Sequence, residues 1–142
     1  MKIVAKLENS LDSNKVTLKT NEIVQELSIP NKSSGFGSAI NGGEFLMLSL
    51  ATCFCNDIYR EAKKKGIHVT KVFVEVSGEF AAEGESGFNI IYSSKLEGDA
   101  SDEELKKLIA HTDKVAEIQN TLRTGVTVTL MQNNKTLPPS TI

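Results

Sequence analysis

The stretch GGEFLMLSLATCFCNDIY, Gly42 to Tyr59, decides the fold of this 142-residue chain. It carries no charged residue from Phe45 to Asn56, and a helix that is apolar nearly all round belongs in the centre of a fold. The chain's only two cysteines, Cys53 and Cys55, lie inside it. The stretch therefore predicts a long buried helix, and it raises the question of whether its thiols react or only fill space.

The ends of this helix can be read from the residues around it. Asn41 is a good N-cap, and Glu44 stands three residues later, as in a capping box. At the other end Lys63–Lys65 complement the helix dipole just before Gly66. A helix of this length measures roughly 33 Å. One small chain can hardly cover it, so we expect a dimer that packs two such helices together.

Strands are predicted on both sides of the helix. The first thirty residues contain three short alternating runs, with Asn21 as the turn between the second and the third. The loop IPNKSSGFGSAINGG, Ile29 to Gly43, is longer than a plain connection requires, which favours a role in a site. Two further strands follow the helix, in residues 69–80 and 87–98.

The last third of the chain predicts a second helix and a final strand. Ser101 and Glu104 form a second capping box, and helical spacing continues through VAEIQNTLRTG. VTVTLM, residues 126–131, reads as a strand, and the polar tail begins at about residue 132. The expected order is βββ-α-ββ-α-β, an α+β fold with mainly antiparallel sheet, in a single domain over residues 1–142.

Composition excludes several classes of protein. The chain is 39% hydrophobic and 24% charged, with a net charge of −2, so no basic surplus points to a nucleic-acid partner. No apolar run reaches the ~18–20 residues of a membrane span, and the N-terminus lacks the pattern of a signal peptide. We expect a cytoplasmic protein, whose thiols are kept reduced and whose partners include no nucleic acid and no membrane.

Taken together, these residues resemble the OsmC/Ohr family of osmotically inducible and organic-hydroperoxide-resistance proteins. The order of elements matches along essentially the whole chain, most specifically from Gly43 to Phe54, and NTLRTGVTV, Asn120 to Val128, matches a second family segment. The resemblance implies an OsmC-like, intertwined homodimer. It also implies thiol-based reduction of organic hydroperoxides, in which a peroxidatic cysteine becomes a sulfenic acid. In the family a second cysteine then closes a disulfide, which an external dithiol reduces, and an Arg–Glu pair activates the thiolate.

By position, the resemblance assigns Cys53 as the peroxidatic cysteine and Glu44 as the family glutamate. The second cysteine should fall near Ala116, where there is none. The family arginine should precede the helix, yet the first arginine of this chain is Arg60, and Lys32 in the loop is the nearest substitute. Resemblance therefore implies at most a one-cysteine enzyme, recycled by an external thiol.

The residues themselves leave the thiol chemistry open. A thiol attacks only as thiolate, and apolar surroundings raise its pKa, so Cys53 needs a nearby cation. Arg60 lies seven residues on, ~10 Å along the helix axis, and cannot contact Cys53 within the helix. Cys55 points about 200° away from Cys53, which disfavours a disulfide and favours a space-filling role.

No metal site and no cofactor are predicted. Two cysteines two residues apart on a helix diverge, and neither His68 nor His111 stands at zinc-ligand spacing. His111 is expected to be a polar residue of the surface or of a dimer groove.

Two functions of different classes remain. The first is a thiol-dependent peroxidase acting on small organic hydroperoxides, with Cys53 as nucleophile and Glu44 as orienting residue. The second is a catalytically silent family member that binds a small hydrophobic ligand in an apolar groove at the dimer interface. The candidate substrate- or ligand-binding residues are Phe36, Ile40, Phe54 and Lys32.

Overall fold

The computed structural model describes residues 1–130, which form an α+β fold of five strands and three helices. The elements are β1 Ile3–Ser10, β2 Ser13–Thr20, β3 Ile23–Leu27, α1 Gly42–Lys65, β4 Val69–Glu79, β5 Phe88–Gly98, α2 Asp102–Val115 and α3 Glu117–Thr124. The predicted fold class and the order βββ-α-ββ-α are confirmed. The predicted polar tail lies outside the described residues.

The first three strands form an antiparallel sheet in the order β1-β2-β3. Its two turns are tight because Asp12 (φ 55°) and Asn21 (φ 51°) adopt the left-handed conformation, which Asp and Asn tolerate better than most residues. The expected meander and the turn at Asn21 are therefore confirmed.

Helix α1 begins and ends where its capping residues predict. The Asn41 side chain accepts a hydrogen bond from the Glu44 N–H at 2.9 Å, and the Glu44 carboxylate accepts one from the Asn41 N–H at 2.7 Å. Gly66 closes the helix at φ 68°, a left-handed cap that glycine adopts without strain. The 24-residue helix packs mainly against β4 and α2.

The core of the described chain lies between α1, the β4–β5 hairpin and α2. Its buried members are Phe54, Ile58, Ala62, Val69, Leu105, Leu108 and Ala116. The face of α1 that carries Leu48 and Tyr59 is not covered, and these two side chains are 58% and 42% exposed. The predicted all-round burial of α1 is therefore not achieved within one chain.

The C-terminal part departs from the sequence prediction at two points. The expected single helix is broken at Ala116, whose extended backbone (φ −73°, ψ 110°) separates α2 from α3. The strand predicted from residue 126 is wrong for residues 126–130, which belong to no strand. An alternating pattern forms a strand only beside another strand, and none pairs with this segment in the described chain.

None of the helices described is long and apolar enough to cross a membrane.

Candidate active site

Cys53 lies half-buried in the middle of α1, on the side that faces α3. Its Sγ donates a hydrogen bond of 3.4 Å to Oδ2 of Asp57, one helical turn further on. Residues four apart on a helix share a face, so this pair follows directly from the sequence spacing. The Asp57 side chain is only 6% exposed, which makes it a carboxyl group held inside the protein beside the thiol.

Arg60 places a positive charge over this carboxyl group. Its Nη1 lies 2.8 Å from Oδ1 of Asp57 and 3.0 Å from Oε1 of Glu117, the first residue of α3. Arg60 therefore does not touch Cys53, as the helix geometry predicts, but it binds both carboxylates that flank the thiol.

A second ion pair fixes the direction of Arg60. Its Nε lies 2.9 Å from Oε1 of Glu61, whose side chain is 5% exposed. Lys64 at 2.7 Å and His111 at 3.0 Å also bind Glu61, and these partners, Lys64 first, lower its pKa to about 2. Glu61 therefore remains ionised and holds the guanidinium with its Nη1 toward Asp57.

The N-terminus of α3 forms the opposite wall of the site. Ala116 is the N-cap and offers no side-chain hydrogen bond, so the first N–H groups of α3 are free for other partners. The backbone N–H of Ile118 faces the Cys53 thiol and stabilises its thiolate form. Gln119, buried, donates from Nε2 to the Leu50 carbonyl oxygen at 3.0 Å and so joins α3 to α1 one turn before the cysteine.

The two carboxylates beside the thiol have pKa values pushed in opposite directions. Burial, and then the neighbouring Glu117, raise the pKa of Asp57 despite the Arg60 charge. The α3 backbone and Arg60 lower the pKa of Glu117. Of the two carboxyl groups, Asp57 is therefore the one that takes up a proton more readily, and Glu117 the one that stays ionised.

The thiol itself is held toward its neutral form. Burial is the main cause that raises the pKa of Cys53, and the hydrogen bond to Asp57 and the charges of Asp57 and Glu117 add to it. The Ile118 N–H acts in the opposite direction. To become a thiolate, Cys53 would have to pass its proton to a neighbour, and Asp57 is in contact with it.

The same three side chains have donor atoms that could approach a metal ion. Sγ of Cys53 and carboxylate oxygens of Asp57 and Glu117 all lie within 4.8 Å of one another. However, the Arg60 guanidinium already binds both carboxylates, and a divalent cation would have to displace it. The arrangement favours a thiol–carboxyl–guanidinium site over a metal site.

Cys55 lies on a different side of α1. It lines an open groove of about 270 Å³ between α1 and β4, together with Ala51, Thr52, Asn56, Val72 and Val74. Both cysteines are free thiols, as the diverging directions of residues two apart on a helix predict.

The other predicted site residues lie in different parts of the chain. Glu44 is engaged in the α1 cap, nine residues or ~13 Å along the helix from Cys53. The loop of Lys32, Phe36 and Ile40 is attached to the β1–β2 turn, for instance by the Gly35 carbonyl that accepts from the Asp12 N–H at 2.6 Å. Phe36 is 59% exposed, whereas Phe54 is fully buried in the core.

Sequence reasoning missed Asp57 and Glu117. The spacing of Cys53, Asp57 and Arg60 at four and three residues was a readable signal, because such residues contact one another along a helix. No local pattern could reveal Glu117, which meets Arg60 across 57 residues of sequence.

Comparison with known proteins identifies the family. A family model described as OsmC-like protein matches residues 35–131, which include Cys53, Asp57, Arg60 and Glu117. This chain belongs to the OsmC-like family. The resemblance drawn from the sequence is therefore confirmed. No curated protein matches the sequence.

Solved structures of this family share the fold at low sequence identity. An OsmC-like protein from Mycoplasma pneumoniae superposes with a TM-score of 0.62 at 20% identity, covering 87% of each chain. An organic hydroperoxide resistance protein, OsmC, from Legionella pneumophila gives 0.56 at 21% identity, covering 87% of this chain and 90% of the other. The organic hydroperoxide resistance protein OhrB of Bacillus subtilis gives 0.50 at 17%, covering 86% and 92%.

Proposed function

We propose that this protein is a thiol-dependent peroxidase that reduces small organic hydroperoxides, with Cys53 as its one reactive cysteine. The observation that carries the proposal is the 3.4 Å contact between the Cys53 thiol and the Asp57 carboxyl group, which Arg60 holds in place. Membership of the OsmC-like family supports it, as do structural relatives named organic hydroperoxide resistance proteins.

In the proposed reaction Asp57 carries the proton. It accepts the proton of the Cys53 thiol, and the sulfur attacks the terminal oxygen of the hydroperoxide and breaks the O–O bond. The proton on Asp57 then passes to the departing alkoxide oxygen, which leaves as an alcohol, and Cys53 is oxidised to a sulfenic acid. Arg60 keeps Asp57 oriented toward the sulfur, which is the orienting role that the sequence assigned to Glu44.

An external thiol completes the cycle. It condenses with the sulfenic acid to release water and form a mixed disulfide, and a second equivalent of thiol regenerates Cys53 as the free disulfide leaves. The proposed location is the cytoplasm, where reduced thiols are available.

The substrate is proposed to enter along the exposed loop. Phe36 and Ile40 of the second copy in a homodimer would contact the apolar part of the substrate. Lys32 of the same copy would contact its polar end. Phe54, buried directly after Cys53, would support the helix below the reacting thiol and not touch the substrate itself.

A silent family member that binds a small hydrophobic ligand is the second candidate. The raised pKa of Cys53 favours it, since a protonated thiol is a poor nucleophile. The two candidates differ in whether Cys53 is oxidised by a hydroperoxide.

The proposal is tested by trapping the sulfenic acid. The reduced protein is treated with excess cumene hydroperoxide and a dimedone-type reagent, and the intact chain is weighed. One adduct is expected in the native protein and in Cys55→Ser, and none in Cys53→Ser. An unmodified native chain after long exposure would reject the peroxidase and leave the ligand-binding candidate.

A homodimer is the proposed working form. The described chain leaves the β1–β3 sheet without substantial contact to its own helices, and residues of this sheet expose apolar side chains. They are Ile3, Leu7, Ile23, Val24 and Leu27. Apolar side chains left exposed on a sheet mark a surface that a second copy of the chain could cover.

The dimer predicts a mass in solution twice the 15.4 kDa of the chain. Leu48→Asp, on the uncovered face of α1, is expected to weaken the dimer because it would bury a charge between the two helices. Analytical ultracentrifugation over a dilution series measures the mass of the native chain and of the Leu48→Asp variant. A native chain that sediments as a monomer at micromolar concentration would contradict the dimer.

A further inference from the structure

Helix α3 brings two groups to the Cys53 site, but it has little stability of its own. The carboxylate of Glu117 and the backbone N–H of Ile118 both act on the thiol or its neighbours. The helix has eight residues and no side-chain N-cap, and helices this short do not persist alone in water. Its position beside Cys53 must therefore be set by contacts with the rest of the chain.

Besides Gln119 and Glu117, Arg123 in the last turn of α3 makes contacts of this kind. Its Nη2 lies 2.6 Å from Oδ1 of Asp113 on α2, and its Nη1 donates to the backbone carbonyl of the same aspartate at 3.1 Å. Nη1 also donates to the side chain of Asn120 at 3.1 Å. A single guanidinium thus clamps α3 to α2 through both the side chain and the backbone of Asp113.

Asp113 also connects α2 to strand β5, and β5 in turn contacts α1. Its carboxylate accepts a hydrogen bond from the Tyr92 hydroxyl on β5. Burial, and then Asp113, raise the pKa of Tyr92 to about 12, so the hydroxyl keeps its proton and remains a donor. The Tyr92 ring packs edge-on against Phe54 with centroids 4.9 Å apart, and Phe54 is the neighbour of Cys53.

We propose that Arg123 is a positioning residue of the Cys53 site: its clamp on Asp113 holds the N-terminus of α3 against the thiol. Arg123 acts through α3 and does not touch the thiol or its partners. The inference rests on the proposed function only in taking Cys53 as the reacting group, and the position of α3 can be measured without any hydroperoxide.

A purely local role for the Arg123–Asp113 pair is the alternative. Both side chains are partly exposed, and exposed ion pairs often contribute little. The geometry favours a larger contribution from this pair, because Arg123 directs two N–H groups at Asp113. Lysine can replace its charge but not this double contact.

Disulfide cross-linking reports directly on how α3 sits. In a Cys55→Ser background, Ala116→Cys places a thiol at the N-cap of α3, next to Glu117, whose carboxylate oxygen lies within 4.8 Å of the Cys53 sulfur. Its rate of disulfide formation with Cys53 under mild oxidation by diamide is followed by counting free thiols. Adding Arg123→Ala is expected to slow this rate about tenfold or more, because α3 no longer holds the two sulfurs in range. Arg123→Lys is expected to recover part of the rate.

Lys107→Ala provides the matched control, since it removes an exposed ion pair with Glu103 on α2, 2.7 Å long, away from the α3 contact. It should leave the rate unchanged. If Arg123→Ala lowers overall stability, Asp113→Asn tests the same clamp with little change in shape and is expected to slow the rate as well. An unchanged rate in folded Arg123→Ala and Asp113→Asn would overturn the inference.

The outcome of the cross-linking experiment does not depend on whether the protein is a peroxidase. Slow cross-linking in Arg123→Ala together with no sulfenic acid in the native protein would keep the positioning role and reject the peroxidase. Unchanged cross-linking together with a trapped sulfenic acid would support the peroxidase and reject the positioning role of Arg123.

Discussion

Ala116→Cys is expected to form a disulfide with Cys53 where the native chain has none. Ala116 is fully buried, and the next residue, Glu117, brings a carboxylate oxygen within 4.8 Å of the Cys53 sulfur. A cysteine at this N-cap is therefore expected to come within reach of the Cys53 sulfur. The family resemblance also expects the second cysteine near this position. Under the proposed function, the variant would convert a protein with one reactive cysteine into one that resolves its own sulfenic acid.

Hydroperoxide treatment followed by mass measurement tests this expectation. The variant should lose two hydrogen atoms and two of its three free thiols, with Cys55 left free, whereas the native chain without added thiol should gain oxygen and become over-oxidised. Ala110→Cys makes the same chemical change on an exposed part of α2 and should keep its free thiol. Three persistent free thiols in a folded Ala116→Cys variant would contradict the placement of α3.

Asp57→Asn is expected to change two reactions of Cys53 in opposite directions. Removing the negative charge 3.4 Å from the sulfur lowers the thiol pKa, and a shift of one unit makes alkylation by iodoacetamide at neutral pH about tenfold faster. Hydroperoxide reduction should become about 100-fold slower, because the departing alkoxide needs a proton that asparagine cannot deliver. Iodide leaves without a proton, so alkylation does not share this requirement.

Stopped-flow rates for both reagents, measured between pH 6 and 10, would check this pair of effects. Because the native pKa of Cys53 is raised, its alkylation should still be increasing above pH 9, and the Asp57→Asn profile should lie at lower pH. Glu97→Gln removes a carboxylate from the outer face of β5, 67% exposed, and should change neither reaction. If both reactions accelerate equally in Asp57→Asn, Asp57 is not the proton carrier.

The two capped helices show how much of the fold is local. Asn41 with Glu44 and Ser101 with Glu104 begin α1 and α2 at the predicted places, because a capping box needs only residues three apart. The turn at Asn21 was predictable for the same reason. The strand expected from residue 126 was not, because its backbone groups need a partner strand that the described chain does not supply.

In the candidate site, too, some features follow from the local sequence and others from the packing of distant segments. The sequence by itself determined that Cys53 lies in the uncharged segment of a long helix, that Cys55 points elsewhere, and that Asp57 and Arg60 follow at contact spacing. Only the tertiary structure decided that Ala116 breaks the second helix and turns α3 toward the thiol. That placement depends on contacts such as Gln119 to Leu50, 69 residues apart, and Arg123 to Asp113. Periodicity determines which faces of a helix are apolar, but the packing of distant segments determines which charges and N–H groups meet a given sulfur.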